Sequence, residues 1–306
     1  MHTPDGFLTS WVCVVTLLLA LAMIAFSVNK ARRWMTKEKA IFMAGLAAII
    51  FAFQMLNFPI GNGTSGHLIG GAIAAILMGP EAAVLILSSV LVVQTFVYGD
   101  GGAMAIGANI LLMGIVAGYT AHHIYRPLKK KFPILGGMAA SWASVVAASL
   151  AAAILLGMSG TIGFGEVFHA MVLTHIFIGI GEGLITGGIL IYVTKTKHDL
   201  FHSNESKMKY AAFTALGALA VLSLALPFAS QSPDGLEKVA LNLGFFEKAA
   251  EIYTFSPMQD YTFFGQEGYI FALLSGIAGM ALAFGAGYLA ARPLDPGLKS
   301  QDPRNP

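Results

Sequence analysis

Long apolar stretches broken by short polar segments dominate the chain, and their lengths predict its elements. A helix rising 1.5 Å per residue needs about 20 apolar residues to cross roughly 30 Å of hydrocarbon. Six stretches meet that requirement: residues 7–28, 40–58, 103–122, 134–157, 168–193 and 269–291. Two shorter runs, 66–79 and 81–97, are separated by Gly79-Pro80 and predict a short helical hairpin. A last stretch, 210–228, brings the expected number of spans to nine.

The polar segments between these runs sort by charge. With the N-terminus outside, segments 29–39, 123–133 and 194–209 and the tail after Ala291 face the cytoplasm and hold 16 of the 18 Lys and Arg. Only Lys238 and Lys248 fall outside, beside Asp5, Asp100, Glu166, Asp234, Glu237, Glu247, Glu251, Asp260 and Glu267. Cytoplasmic loops retain positive charge. The expectation is therefore an all-α integral protein of the cell membrane with its N-terminus outside, its C-terminus cytoplasmic and an acidic outer face. The first run could pass for a signal sequence, but its positive charges follow it and no Ala-x-Ala-like site precedes a soluble domain. Met1 is thus expected to be the mature N-terminus.

Composition agrees with this picture. The chain is 56% hydrophobic and 11% charged with a mean hydropathy of +0.72, against about 25% charged residues in soluble domains. Disorder is excluded, and a collagen-like chain is excluded because the 35 glycines have no three-residue period. A net charge of +2 argues against nucleic acid as a partner. The single cysteine, Cys13, lies in an apolar run, so a disulfide framework and a cysteine metal cluster are both excluded. A charged linker, 194–209, divides the chain into a first part, 1–200, and a second part, 201–306, with two spans and an outside loop.

Candidate chemistry sits at the outer face. In Met1-His2-Thr3-Pro4-Asp5-Gly6, a terminal amine, the His2 amide nitrogen and the His2 Nδ1 can close two chelate rings on one metal. Three nitrogens in a plane suit Ni(II) or Cu(II). His67, in the glycine-rich outside segment 61–67, is the obvious fourth donor. Spacing alone leaves open that His2 is a solvated end and His67 an interface histidine. Polar residues inside or beside spans, Gln54, Asn57, Gln94, Asp100, Asn109, His175 and Glu182, are costly in lipid and face a packed or wet interior. Gln94, Asp100 and Asn109 lie toward the same end as His2 and His67 and, with Asp5, are expected to fix the ligand-bearing segments. His175 and Glu182, seven apart on one helix face, read as a structural polar pair.

Sequences that hold nucleotide phosphates, the H-E-x-x-H zinc motif and the G-x-S-x-G nucleophile motif are absent. Gly179-Ile180-Gly181-Glu182-Gly183 lies within a span and reads as close helix packing. ATP-driven transport would need an engine on another chain. A membrane enzyme using His122, His123, His169 and His175 is disfavoured because these fall on both sides of the membrane. A proton-coupled secondary transporter with Glu182 and His175 as relay remains the alternative.

The opening Met1-His2-Thr3-Pro4-Asp5-Gly6-Phe7-Leu8 resembles that of the nickel/cobalt substrate-binding M components, NikM and CbiM, of energy-coupling-factor transporters. Val93-Gln94, Tyr98-Gly99-Asp100-Gly101-Gly102, Gly107-Ala108-Asn109 and the segment Thr174 to Gly183 are similar to further motifs of that family. Ser232-Pro233-Asp234-Gly235-Leu236-Glu237 is similar to the PDGLE signature of the small N component. The resemblance implies a fused M and N component capturing Ni(II), or Co(II) for cobalamin synthesis, through Met1, His2 and His67. It also implies a transmembrane coupling T component and cytoplasmic ATPase A components as partners. Position 3 is Thr here where other members often carry a larger apolar residue; the planar chelate uses no side chain there.

Overall fold

The computed structural model describes residues 1–200, 217 and 219–292. In chain order its helices are α1 (Ser10–Ala31), α2 (Lys37–Met55), α3 (Gly71–Met78), α4 (Pro80–Val93), α5 (Ile106–Asn109), α6 (Ala117–Leu128), α7 (Pro133–Met158), α8 (Phe164–Leu200), α9 (Leu219–Phe228), α10 (Gly235–Leu243) and α11 (Tyr269–Ala291). A two-stranded antiparallel hairpin, β1 (Phe58–Gly61) and β2 (Thr64–Gly66), precedes α3. Helices dominate because lipid offers backbone groups no hydrogen-bond partners, so each segment must satisfy its own.

Six helices among the described residues are long and apolar enough to cross a membrane: α1, α2, α4 with its extension to Tyr98, α7, α8 to Lys195, and α11. The expected run 103–122 forms α5 and α6 joined by a π-helical segment, Ile110–Val116. The expected run 66–79 shrinks to the eight residues of α3. Its first residue, Gly66, ends β2, residues 67–70 follow as irregular chain, and Gly70, at φ +82°, sets the turn into the helix in a conformation that favours glycine. Most of the expected span 210–228 lies outside the described residues.

Burial sorts the helices into centre and rim. In α4 and its extension 83% of the most apolar stretch is buried, against 28% in α1, which turns Trp11, Leu18 and Leu21 outward. Small residues let the backbones approach. A Cβ on Gly183 would stand 3.0 Å from the Met138 carbonyl oxygen of α7, and one on Gly279 of α11 would meet the Phe51 ring of α2 at 2.0 Å. The glycine run 179–183 is therefore packing, as expected, and the buried Cys13 belongs to the same core.

The two ends of the bundle differ. At one, Lys30 at the end of α1 pairs with the buried Glu81 at the start of α4. At the other, α4 ends in a π-helical turn, Gln94–Tyr98, and the chain reverses through Gly99, at φ +68°. The hairpin, the loop after Gly99 and α10 gather here around residues 1–8.

Candidate metal centre

The N-terminal segment is folded into the protein. Met1, His2, Thr3, Asp5, Phe7 and Leu8 are all buried, and Phe7 packs edge-on against Phe245, centroids 5.1 Å apart. Asn109 of α5 grips residue 3 at two points: its Oδ1 accepts from the Thr3 N–H at 2.8 Å, and its Nδ2 donates to the Thr3 carbonyl at 3.2 Å. Asp5 accepts from three successive backbone N–H groups, Ala103 at 3.0 Å, Met104 at 2.9 Å and Ala105 at 3.1 Å. Gly102 gives the carboxylate its room, since a Cβ there would lie 2.1 Å from Asp5 Oδ1.

This docking delivers the terminal amine to His67. The Met1 amine donates to His67 Nε2 and to Asp234 Oδ2, the latter at 2.7 Å. His67 Nδ1 lies 3.2 Å from the Leu68 carbonyl; the N–H assigned to Nδ1 leaves the Nε2 lone pair aimed at the amine. The loop carrying His67 is held from the membrane side. Glu182 accepts from the Ile69 N–H at 2.9 Å and the Gly70 N–H at 3.4 Å, and Gln54 donates to the Ile69 carbonyl at 2.7 Å.

The His2 ring stacks on His67, centroids 5.0 Å apart and planes 24° apart. A directed chain of hydrogen bonds orients it: His2 Nε2 donates to Gln94 Oε1 at 3.1 Å, Gln94 Nε2 to the Tyr261 hydroxyl at 3.3 Å, and that hydroxyl to Asp100 Oδ2 at 2.5 Å. Asp100 Oδ1 stands 3.2 Å from His2 Nδ1. Burial pushes the His2 imidazole down to about 4, against the pull of Asp100. A neutral ring that spends its N–H on Gln94 turns a bare Nδ1 toward a carboxylate, an arrangement that a cation between them relieves.

Asp234 is the neighbour that sequence reasoning missed as a site residue. Burial disfavours its charged form, but the Met1 ammonium and His67 outweigh burial and hold its carboxyl well below the ordinary range. Its Oδ2 lies 3.6 Å from His67 Nε2. Tyr261 was also missed; burial and Asp100 push its phenol well above the usual value. The PDGLE motif was a signal for Asp234, whereas Tyr261 stands in no motif. His175 and Glu182 are not bonded as the expected pair: Glu182 holds the His67 loop, and His175 Nδ1 turns to the Met171 carbonyl at 2.7 Å.

Met1, His2 and His67 thus meet at one place, with Gln94 and Asp100 against the His2 ring and Asp5 and Asn109 fastening the segment that carries it. Among the described residues no three His, Cys, Asp or Glu side chains form a metal-binding group, so a metal here would rely on main-chain nitrogen.

Six membrane-length helices closing over a buried nitrogen-lined site give the chain the architecture of a multi-pass membrane protein. Its sequence relatives fix the family. The CbiM family, described as the cobalt uptake substrate-specific transmembrane region, matches residues 2–200, and the chain belongs to it. The PDGLE domain matches residues 208–295. A putative fused nickel transport protein NikMN of Archaeoglobus fulgidus is 32% identical over 298 residues, covering 95% of this chain and 98% of the relative. The fused nickel transport protein NikMN of Rhodobacter capsulatus is 31% identical over 247 residues, covering 72% of this chain and 71% of its own length. A crystal structure of a transition metal transporter superposes with a TM-score of 0.60 at 30% identity, covering 65% of this chain and 95% of that one. The resemblance drawn from the opening residues and the PDGLE motif is borne out by these matches.

Proposed function

We propose that the chain captures Ni(II) outside the cell membrane as the substrate-specific component of an energy-coupling-factor importer. The observation that carries this reading is the Met1 amine facing the Nε2 lone pair of His67 with the His2 ring stacked alongside. In the proposed complex the ion replaces one proton of the Met1 ammonium and the N–H proton of the His2 amide, both released to solvent. It is held by the Met1 nitrogen, the His2 amide nitrogen, His2 Nδ1 and His67 Nε2, while Asp5, Gln94, Asp100 and Asn109 keep these donors in place. Four nitrogens in a plane favour Ni(II). The names of the two fused nickel relatives support the same choice. Co(II) is the second reading, favoured by the family's description as a cobalt uptake region.

In the proposed topology nine spans put the N-terminus outside and the C-terminus in the cytoplasm. Residues 1–200 form the metal-binding part and 201–306 the PDGLE part. A coupling T component and ATPase A components supply the energy, since the chain has no phosphate-binding loop of its own. Acidic outer loops raise the local concentration of the cation.

Metal content and equilibrium binding on protein purified with an untagged N-terminus test the reading. His67→Ala and His2→Ala abolish Ni(II) binding while the protein still inserts and folds. One residue added before Met1 abolishes it too, because the chelate rings need the amine in that position. Unchanged binding in the extended protein refutes the amine as a donor.

A further inference from the structure

The turn that leads into α11 carries an aromatic residue in an unusual place. The N–H groups of Phe263 and Gln266 each donate to the other's carbonyl at 3.1 Å, which closes a two-residue turn over Phe264 and Gly265. Both turn residues have positive φ, +50° and +79°. Turns of that kind favour Asn-Gly or Asp-Gly, and a bulky residue at positive φ is a backbone outlier. Phe263 packs on the core, whereas Phe264 is 64% exposed, its ring edge-on against that of Phe263. A Cβ on Gly265 would have nothing within 4 Å, so the turn stands clear of the rest of the chain. Strain at an exposed ring points to a partner outside the chain.

The surroundings of the turn say which partner. The Tyr269 hydroxyl at the start of α11 donates to the Ser223 carbonyl of α9 at 2.9 Å, so the two helices lie side by side there. Ile270, Leu274 and Ile277 are exposed at helical spacing on α11, and Leu224 and Phe228 on α9. On a membrane-length helix such a stripe faces hydrocarbon. Phe228, five residues or about 8 Å past Ser223 at the rise of a helix, and Phe264, five residues before Tyr269, extend these stripes at the same end. Charge narrows the partner further. No Lys or Arg occurs in residues 249–291, and Asp260 and Glu267 flank the turn. A ring entering a bilayer here does so by its apolar surface and not by pairing the segment with anionic headgroups.

We infer that Phe264, together with Phe228, inserts into the boundary between headgroups and acyl chains of a zwitterionic phospholipid leaflet at the Met1 end of the bundle. The anchor ends three residues from Tyr261, whose hydroxyl donates to Asp100, so it tethers the strap that carries this contact. The inference rests on the multi-pass reading of the chain and is independent of nickel capture.

The test uses the full chain in phosphatidylcholine nanodiscs. Cys13→Ala leaves a single cysteine to spin-label in Phe264→Cys, Glu267→Cys or Leu274→Cys. Electron paramagnetic resonance reads collisions with oxygen, which concentrates in lipid, and with chromium oxalate, which stays in water. Oxygen should dominate at 264 and 274, chromium oxalate at 267, and added phosphatidylglycerol should leave the reading at 264 unchanged. Chromium-dominated collision at 264, a requirement for anionic lipid, or shielding from both reagents by a protein partner or second copy overturns the inference. A label at 274 that meets water overturns the multi-pass reading as well. Phe264→Gly gives an independent sign. Glycine relieves the positive φ, so a ring free in water predicts a higher unfolding midpoint in nanodiscs, whereas an inserted ring predicts a lower one through lost apolar contact. An unchanged or raised midpoint overturns the inference.

Discussion

The tripeptide Pro-Asp-Gly occurs at residues 4–6 and again at 233–235, and the two copies do opposite work at the same end of the molecule. Asp5 gives both carboxylate oxygens to the backbone N–H groups of residues 103–105. Asp234 spends one oxygen on its own helix, accepting from Leu236 at 2.8 Å and Glu237 at 2.9 Å, with Glu237 returning the capping contact at 3.1 Å. Its other oxygen remains for the Met1 amine. Identical local sequence thus yields a fastener in one place and a charge facing the candidate site in the other. What differs is whether the neighbouring chain offers backbone donors to the second oxygen.

The comparison makes its largest prediction at Asp5. In Asp5→Ala three backbone groups lose their acceptor, at about 1–3 kcal/mol for each that stays buried. Thermal unfolding in detergent should shift downward markedly, and Ni(II) binding should vanish because the amine is no longer delivered to His67. Retained binding would break the distinction between the two copies. Asp234→Asn should do the reverse. Asparagine caps a helix as well as aspartate does, so the helix keeps its cap and the unfolding midpoint of the metal-free protein falls only through the lost counter-charge of the Met1 ammonium. Loss of the charge beside the ion lowers Ni(II) affinity about tenfold, measurable by titration calorimetry.

Acid should separate the two supports of the N-terminus. The docked His2 ring is held neutral with its pKa lowered to about 4 from 6.5. Between those values the undocked state binds more protons, so docking weakens as pH falls through that window, by about 3 kcal/mol in all at 1.36 kcal/mol per unit. Asp234 stays ionised throughout, because its carboxyl lies well below the ordinary carboxylate range. Hydrogen exchange or proteolysis of the first residues at pH 7 and pH 5 should show release at the lower value; equal protection at both would refute it. The smallest effect is expected from Tyr261→Phe. It removes one hydrogen bond from Asp100 and one acceptor from Gln94, which should weaken Ni(II) binding by less than about tenfold.

Much of this arrangement was legible in the sequence. Lipid requires each spanning segment to bond within itself, so the length of an apolar run reports directly on a helix. Gln94, Asp100 and Asn109 stood out because polar groups beside apolar runs need a reason to be there. The hairpin that shortens α3 was not legible, since residues 58–66 carry no alternation strong enough to compete with the apolar pattern around them. Tyr261 was hidden for a different reason. Its stacking on Tyr98, at a centroid distance of 4.9 Å, and its bond to Asp100 join residues more than 160 positions apart, which no local pattern encodes.

By itself, the sequence determined which segments become helices and which neighbouring nitrogens can form chelate rings, because both follow from interactions within a few covalent bonds or one helical turn. Only the tertiary structure decided that Asp234 rather than Asp5 faces the amine and that Glu182 holds the His67 loop. Those relations depend on how separate helices and loops pack, and packing is set by the shape of the whole chain.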